Sequence, residues 1–142
     1  MIDELTLKGT VSGRVIRANG EELPFTINNM IVTTGKQFAV ARLYSASVTP
    51  ISHMGIGNSS SAPNLGQAEL IGEFGTRSAV TASITQNNIK FSSDFTNINA
   101  TVSEIGLFNA NAGGLMFARA LIGPFPLTPT DTLALDWNVN VP

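Results

Sequence analysis

The closing segment "TLALDWNVNV" (Thr132–Val141) alternates without a break. Leu133, Leu135, Trp137, Val139 and Val141 fall on one side, and Ala134, Asp136, Asn138 and Asn140 on the other. Successive side chains of an extended chain point to opposite faces, so this is a β-strand with one buried and one wetted face. Such a strand cannot stand alone. Its apolar face must be covered by a second layer, which in a chain built mostly of such strands is another sheet.

Most of the remaining sequence repeats the theme. "LTLKGTVSGRVIRANGEELPFTIN" (Leu5–Asn28) alternates apolar and polar residues around Asn19-Gly20, a two-residue turn signal, and predicts two or three strands. Val80, Ala82 and Ile84 alternate with Thr81, Ser83 and Thr85 before Gln86-Asn87-Asn88 turns the chain into "IKFSSDF". Two further strands flank a turn at Asn109 to Gly114. A single helix is expected from about Gly35 to Ser45, where Thr34 and Gln37 have capping-box spacing and Phe38, Ala39, Arg42 and Leu43 follow at helical intervals. "HMGIGNSSSAPNLGQAEL" (His53–Leu70) is crowded with Gly, Ser, Pro and Asn and reads as a long loop. The expected fold class is therefore mainly β: an antiparallel β-sandwich or compact barrel with one short helix.

At 142 residues the chain fits one domain. Residues 30–142 are expected to form the sandwich core. Residues 1–29, thinner in apolar content, are expected to form an N-terminal β arm in which Leu5, Leu7, Val11, Val15 and Ile16 would contact another subunit. Only 13% of residues are charged, about half the usual quarter, and the eight basic residues are scattered singly within a net charge of −2. Nucleic-acid binding needs clustered Lys and Arg to displace counterions, so it is not expected. No cysteine is present, which removes disulfides and thiolate metal sites. "MIDELTLKG" lacks the basic and apolar regions of a secretory signal, and no apolar run approaches the ~18 residues of a membrane span. A soluble chain made in a cytoplasm, without membrane contact, is the expectation.

Candidate chemistry is sparse. His53 is the only histidine, with no Glu, Asp or second His at ligand spacing, whereas metal sites normally need three or four side chains. "GIGNSS" (Gly55–Ser60) resembles a phosphate-cradling loop only superficially: it lacks the Gly-Lys-Ser/Thr ending and the glycine opening a helix, so a loop needing positive φ is the simpler expectation. Glu69, Glu73, Asp94, Glu104 and Asp136 could supply a carboxylate pair for glycoside hydrolysis, but no aromatic platform accompanies them. No Gly-x-Ser-x-Gly elbow occurs. No catalytic residue, metal or cofactor is therefore expected, and the chain is not expected to be an enzyme. In "SEIGLFNANAGGLMFARAL" (Ser103–Leu121), a hairpin turning at Asn109–Gly114 would set Glu104 directly opposite Arg119, a cross-strand pair fixing register.

The segments "VTTGKQFAVARL", "ISHMGIGNSSSAPNLGQAEL", "GTRSAV", "VSEIGLFNANAGGLMFARAL" and "DTLALDWNVNV" also occur in an order and spacing that resembles bacteriophage virion structural proteins. The resemblance is to capsid decoration (cement) proteins and to tail-collar and tail-fibre N-terminal domains. It covers roughly Ile31 to Val141, and residues before Leu23 lie outside it. The resemblance implies that a tail-fibre protein using this module would continue into a shaft and receptor-binding tip, while this sequence stops at Pro142, so a decoration protein is the expectation. The resemblance implies a virion location, self-association, expected as a homotrimer, and the major capsid protein lattice as partner. A small tail or baseplate fibre adaptor is the alternative. From a different class, a carbohydrate-binding module would use Trp137 and the segment His53–Asn64, and would require Trp137 to be exposed.

Overall fold

A computed structural model describes residues 6–45 and 47–142. Ten strands and one helix follow in chain order. They are β1 (Lys8–Ile16), β2 (Glu22–Asn28), β3 (Met30–Ile31), α1 (Thr33–Tyr44), β4 (His53–Gly57), β5 (Glu73–Ala79), β6 (Thr81–Thr85), β7 (Asn88–Thr96), β8 (Ala100–Phe108), β9 (Met116–Leu127) and β10 (Thr132–Asn140). They form two five-stranded antiparallel sheets, ordered β2-β1-β10-β7-β6 and β3-β9-β8-β4-β5. The two sheets pack face to face as a β-sandwich, the mainly β class that the alternation predicts.

The closing strand is the centre of the first sheet. Leu133, Leu135, Trp137 and Val139 of β10 are all buried, alternating with half-buried partners on the outer face. They meet Ile105, Leu107, Ala118, Ala120 and Ile122 of the second sheet in one apolar cluster. That inward burial, about 25 cal/mol for each Å² of apolar surface, is the main term opposing the conformational entropy of the strands.

The N-terminal segment differs from the expected arm. β1 lies inside the first sheet, paired along its whole length with β10 on one side and with β2 on the other. Val11 sits opposite Trp137 and Val15 opposite Leu133, and both valines are fully buried in the common core. Leu7 and Ile16 are half-buried, while Leu5 lies outside the described residues. The segment looked poor in apolar residues because one inward valine at every fourth position suffices when Trp137, Leu133 and Leu135 fill the space between. Val11 and Val15 thus face this chain's own core and are not available to a partner.

The helix spans Thr33–Tyr44, beginning two residues before the expected start. No side chain caps it, so the Thr34/Gln37 capping box does not form. The Thr34 hydroxyl donates instead to the Met116 carbonyl (2.8 Å), tying the first turn to β9. Phe38 packs edge-on against Phe117, with ring centroids 5.9 Å apart. Gly35 lies so close to β9 that a side chain there would strike the Phe117 carbonyl.

Candidate functional site

The outer face of the second sheet carries a buried polar cluster, held under the segment that links β4 to β5. Inner-face residues of β8, Val102, Ile105 and Leu107, enter the core, while Glu104, Gly106 and Phe108 face outward. Outward-facing positions would ordinarily be wet. Here residues 58–72 cross over them, and Leu70 packs with Val32, Phe108 and Met116 in a small apolar cluster of its own. Glu104 and Arg119 are both fully buried beneath this covering.

Their geometry differs from the expected direct pairing. Gly106 is the residue opposite Arg119, and Leu121 is opposite Glu104. A register shift between Leu107 and Phe108, on the turn side of the pair, displaces the strands from the alignment that counting back from the turn would give. The two side chains nonetheless meet diagonally, with Arg119 Nε donating to Glu104 Oε1 at 3.0 Å.

The remaining carboxylate lone pairs are taken by backbone. The Ile71 amide donates to Oε1 (3.0 Å), and the amides of Ser59 (3.0 Å) and Gly72 (2.7 Å) donate to Oε2. Arg119 Nη1 donates to the Ser61 carbonyl at 2.8 Å. One ion pair thereby ties down both ends of the covering segment. Burial by itself would raise the Glu104 carboxyl, and the hydrogen bonds from Gly72, Ile71, Arg119 and Ser59 outweigh it and hold the pKa below its ordinary value. A carboxylate so saturated and sealed from water has no lone pair with which to take a proton from a substrate.

The glycines of "GIG" belong to this arrangement. His53–Gly57 is strand β4, not part of a loop, and neither Gly55 nor Gly57 has positive φ. Their value lies in the missing side chain. A Cβ at Gly57 would collide with the Glu104 carboxylate, and one at Gly55 or Gly106 would press on the Phe108 ring. The flat backbone patch made by these three residues accommodates the two bulky outward side chains of β8.

A second clamp adjoins the first. Arg77 on β5 forms a two-pronged bond with Glu73 (2.7 and 3.1 Å), stacks its guanidinium 3.5 Å from the centre of the Phe108 ring, and donates to the carbonyls of Ala110 and Gly113. It holds the β8–β9 turn against β5. Elsewhere, Asp131 receives Arg17 Nη1 (2.9 Å) and the Thr128 amide (2.8 Å), closing the turn into β10. The bond from the Thr128 backbone, aided by Arg17, keeps its carboxyl below the ordinary range.

The other candidates do not converge. His53 Nδ1 bonds only the neighbouring Ser52 hydroxyl (2.7 Å), and Asp136 accepts from Ser92 (2.6 Å) on the outer face of the first sheet. Glu69 and Asp94 are exposed. Among the described residues no three His, Asp or Glu side chains are placed to share a metal ion. Trp137 is fully buried in the core, so it cannot act as a sugar platform. Compared with protein-family models, with curated proteins and with solved structures, the chain matches none.

Sequence patterning flagged Glu104 and Arg119 but missed what they bind. The three amide donors come from a segment with no periodicity, and backbone donors leave no trace in residue identity. Arg77 was visible only as an arginine in a strand.

Proposed function

We propose that this chain is a non-enzymatic structural protein of a bacteriophage virion, a capsid decoration (cement) protein that self-associates, as a homotrimer, and binds across major capsid subunits to stabilise the head. The observation that carries the proposal is the placement of the phage-like segments. "VTTGKQFAVARL", "ISHMGIGNSSSAPNLGQAEL", "GTRSAV" and the "EIGLF"–"ARA" hairpin supply α1, β4 with its covering segment, β5, β8 and β9. Glu104, Arg119 and Arg77 of these segments are spent on holding that body together.

The exposed surface is consistent with a lattice contact. Val40, Leu43 and Tyr44 on α1 are 68%, 83% and 97% exposed, three large apolar or aromatic side chains on one short helix. Apolar contacts are less sensitive to salt than ion pairs, which suits a protein whose particle meets varied ionic strength. Binding to an assembled lattice would stabilise it by mass action at each site.

Quantitative mass spectrometry of purified virions, with the major capsid protein as internal standard, tests the proposal. A copy number in step with the capsid protein supports a head-lattice role. A handful of copies per particle would move the chain to the tail as a fibre or baseplate adaptor, and absence from the particle would overturn both.

A further inference from the structure

The sandwich has four sheet edges, and three carry features that oppose pairing with another chain. β2 contains Pro24 and Glu22. β5 carries Glu73 and Arg77, contains Gly75 at positive φ and has a register shift against β4. β3 is two residues long. Charge, proline, bulges and brevity are the usual means by which proteins blunt a strand edge.

β6, "TASIT", differs. It contains no charge and no proline, pairs with β7 in unbroken register, and is exposed at all five positions. The two-residue loop closed by Thr85 and Asn88 makes that a hydrogen-bonded pair, as in ordinary tight hairpins. The antiparallel alternation then turns the N–H and C=O groups of Ala82 and Ile84 outward, away from β7. Ala82 and Ile84 share the inner face with Phe91 and Ile89, yet Ile84 is 75% exposed because the second sheet does not reach over it. Beside it lies an apolar cleft of about 330 Å³ lined by Phe38, Ala39, Ile51, Ala82, Ile89 and Phe91.

We infer that β6 is a self-pairing edge, which takes the β6 strand of a second copy antiparallel about a two-fold axis through Ser83. The strand is self-complementary in that register. Ala82 faces Ile84 of the other copy on the apolar side, and Thr81 faces Thr85 on the polar side, a hydroxyl pairing favourable across strands. The outward backbone groups of Ala82 and Ile84 fall in register, so both polar groups of each residue find partners. No charge is drawn into the contact, whereas pairing at β2 or β5 would bring in Glu22 or Glu73 and Arg77. The contact is isologous and joins copies in pairs. It is distinct from the three-fold association proposed above and is tested without a virion.

The test uses the absence of cysteine from the natural sequence. On the two-fold axis, Ser83 faces its own copy as a non-hydrogen-bonded pair, where Cα atoms approach to about 4.5 Å and a disulfide can close. Ser83→Cys in the full chain is expected to form a disulfide-linked dimer on mild oxidation. Thr81→Cys and Thr85→Cys, each paired with a threonine of the other copy, are expected to form far less. By sedimentation, Ile84→Lys is expected to weaken self-association by at least about tenfold through like-charge juxtaposition. Ile71→Lys, at another exposed apolar position, should leave association unchanged. Equal cross-linking of all three cysteine variants, or association unaffected by Ile84→Lys, would overturn the inference. So would a chain that stays unpaired in solution and acquires a β6 partner only from a different protein.

Discussion

Glu104 and Arg119 are joined on the diagonal of the β8–β9 ladder, Nε to Oε1 at 3.0 Å, and neither side chain is accessible to solvent. The pair is therefore more than the register-fixing cross-strand contact expected from its sequence position. Removing one member leaves the other charged and buried, which costs about 3–5 kcal/mol. Glu104→Leu and Arg119→Leu should each lower the chemical-denaturation midpoint by a corresponding amount. The exchanged pair Glu104→Arg with Arg119→Glu should not restore it, because an arginine at position 104 cannot accept the amides of Ser59, Ile71 and Gly72. Recovery to near wild-type stability would show that the two charges matter only to each other.

The same hydrogen bonds set an acid limit. Glu104 and Asp131 both have carboxyls held below their ordinary values in the folded state. A depressed folded pKa means the unfolded chain takes up its proton first as pH falls. The stabilisation is complete above the ordinary carboxylate range, about pH 4, and is lost as pH drops through the lowered folded values. Thermal melts should be flat in these two contributions near neutrality and fall steeply below about pH 4. Replacing Asp131 by Asn should make the acid side of that profile shallower.

Gly35 is a glycine for space. Ala at this position should strike the Phe117 carbonyl and push α1 off β9, costing about 1–3 kcal/mol as overpacking does. The helix-favouring character of alanine predicts the opposite sign. Denaturant titration of Gly35→Ala decides between them.

Removing residues 1–16 should abolish folding rather than detach an arm. The truncation strips Val11 and Val15 from the core, removes one of the two strands paired with β10 and leaves β2 without a neighbour. Trp137, fully buried and the sole tryptophan, is the reporter. Its emission should be blue-shifted and shielded from quenchers in the intact chain, and red-shifted and quenchable in the truncated one. A truncated chain that keeps the blue-shifted emission would restore the arm.

These contrasts show what the sequence can express. The period of β10 is legible because inward positions must be apolar and outward ones need not be, and one covered face defines a strand. β4 was hidden because it is short and two of its three outward positions, Gly55 and Gly57, are glycines, so it reads as part of the Gly-rich stretch that follows. The helix was legible from its spacing, but its start was not, since Thr34 bonds a distant carbonyl on β9 rather than its own first turn. The diagonal of Glu104 and Arg119 was out of reach because a register shift is a property of two strands together.

Glu104 is the post that holds residues 58–72 across the second sheet. Amide hydrogen exchange on wild type and on the double variant Glu104→Met with Arg119→Met measures this directly, since replacing both members of a buried pair by apolar residues can leave a fold intact. The amides of Ser59, Ile71 and Gly72 should be protected in wild type and exchange rapidly in the double variant, while those of β10 remain protected in both. Unchanged protection of Ser59, Ile71 and Gly72 without the carboxylate would contradict the account.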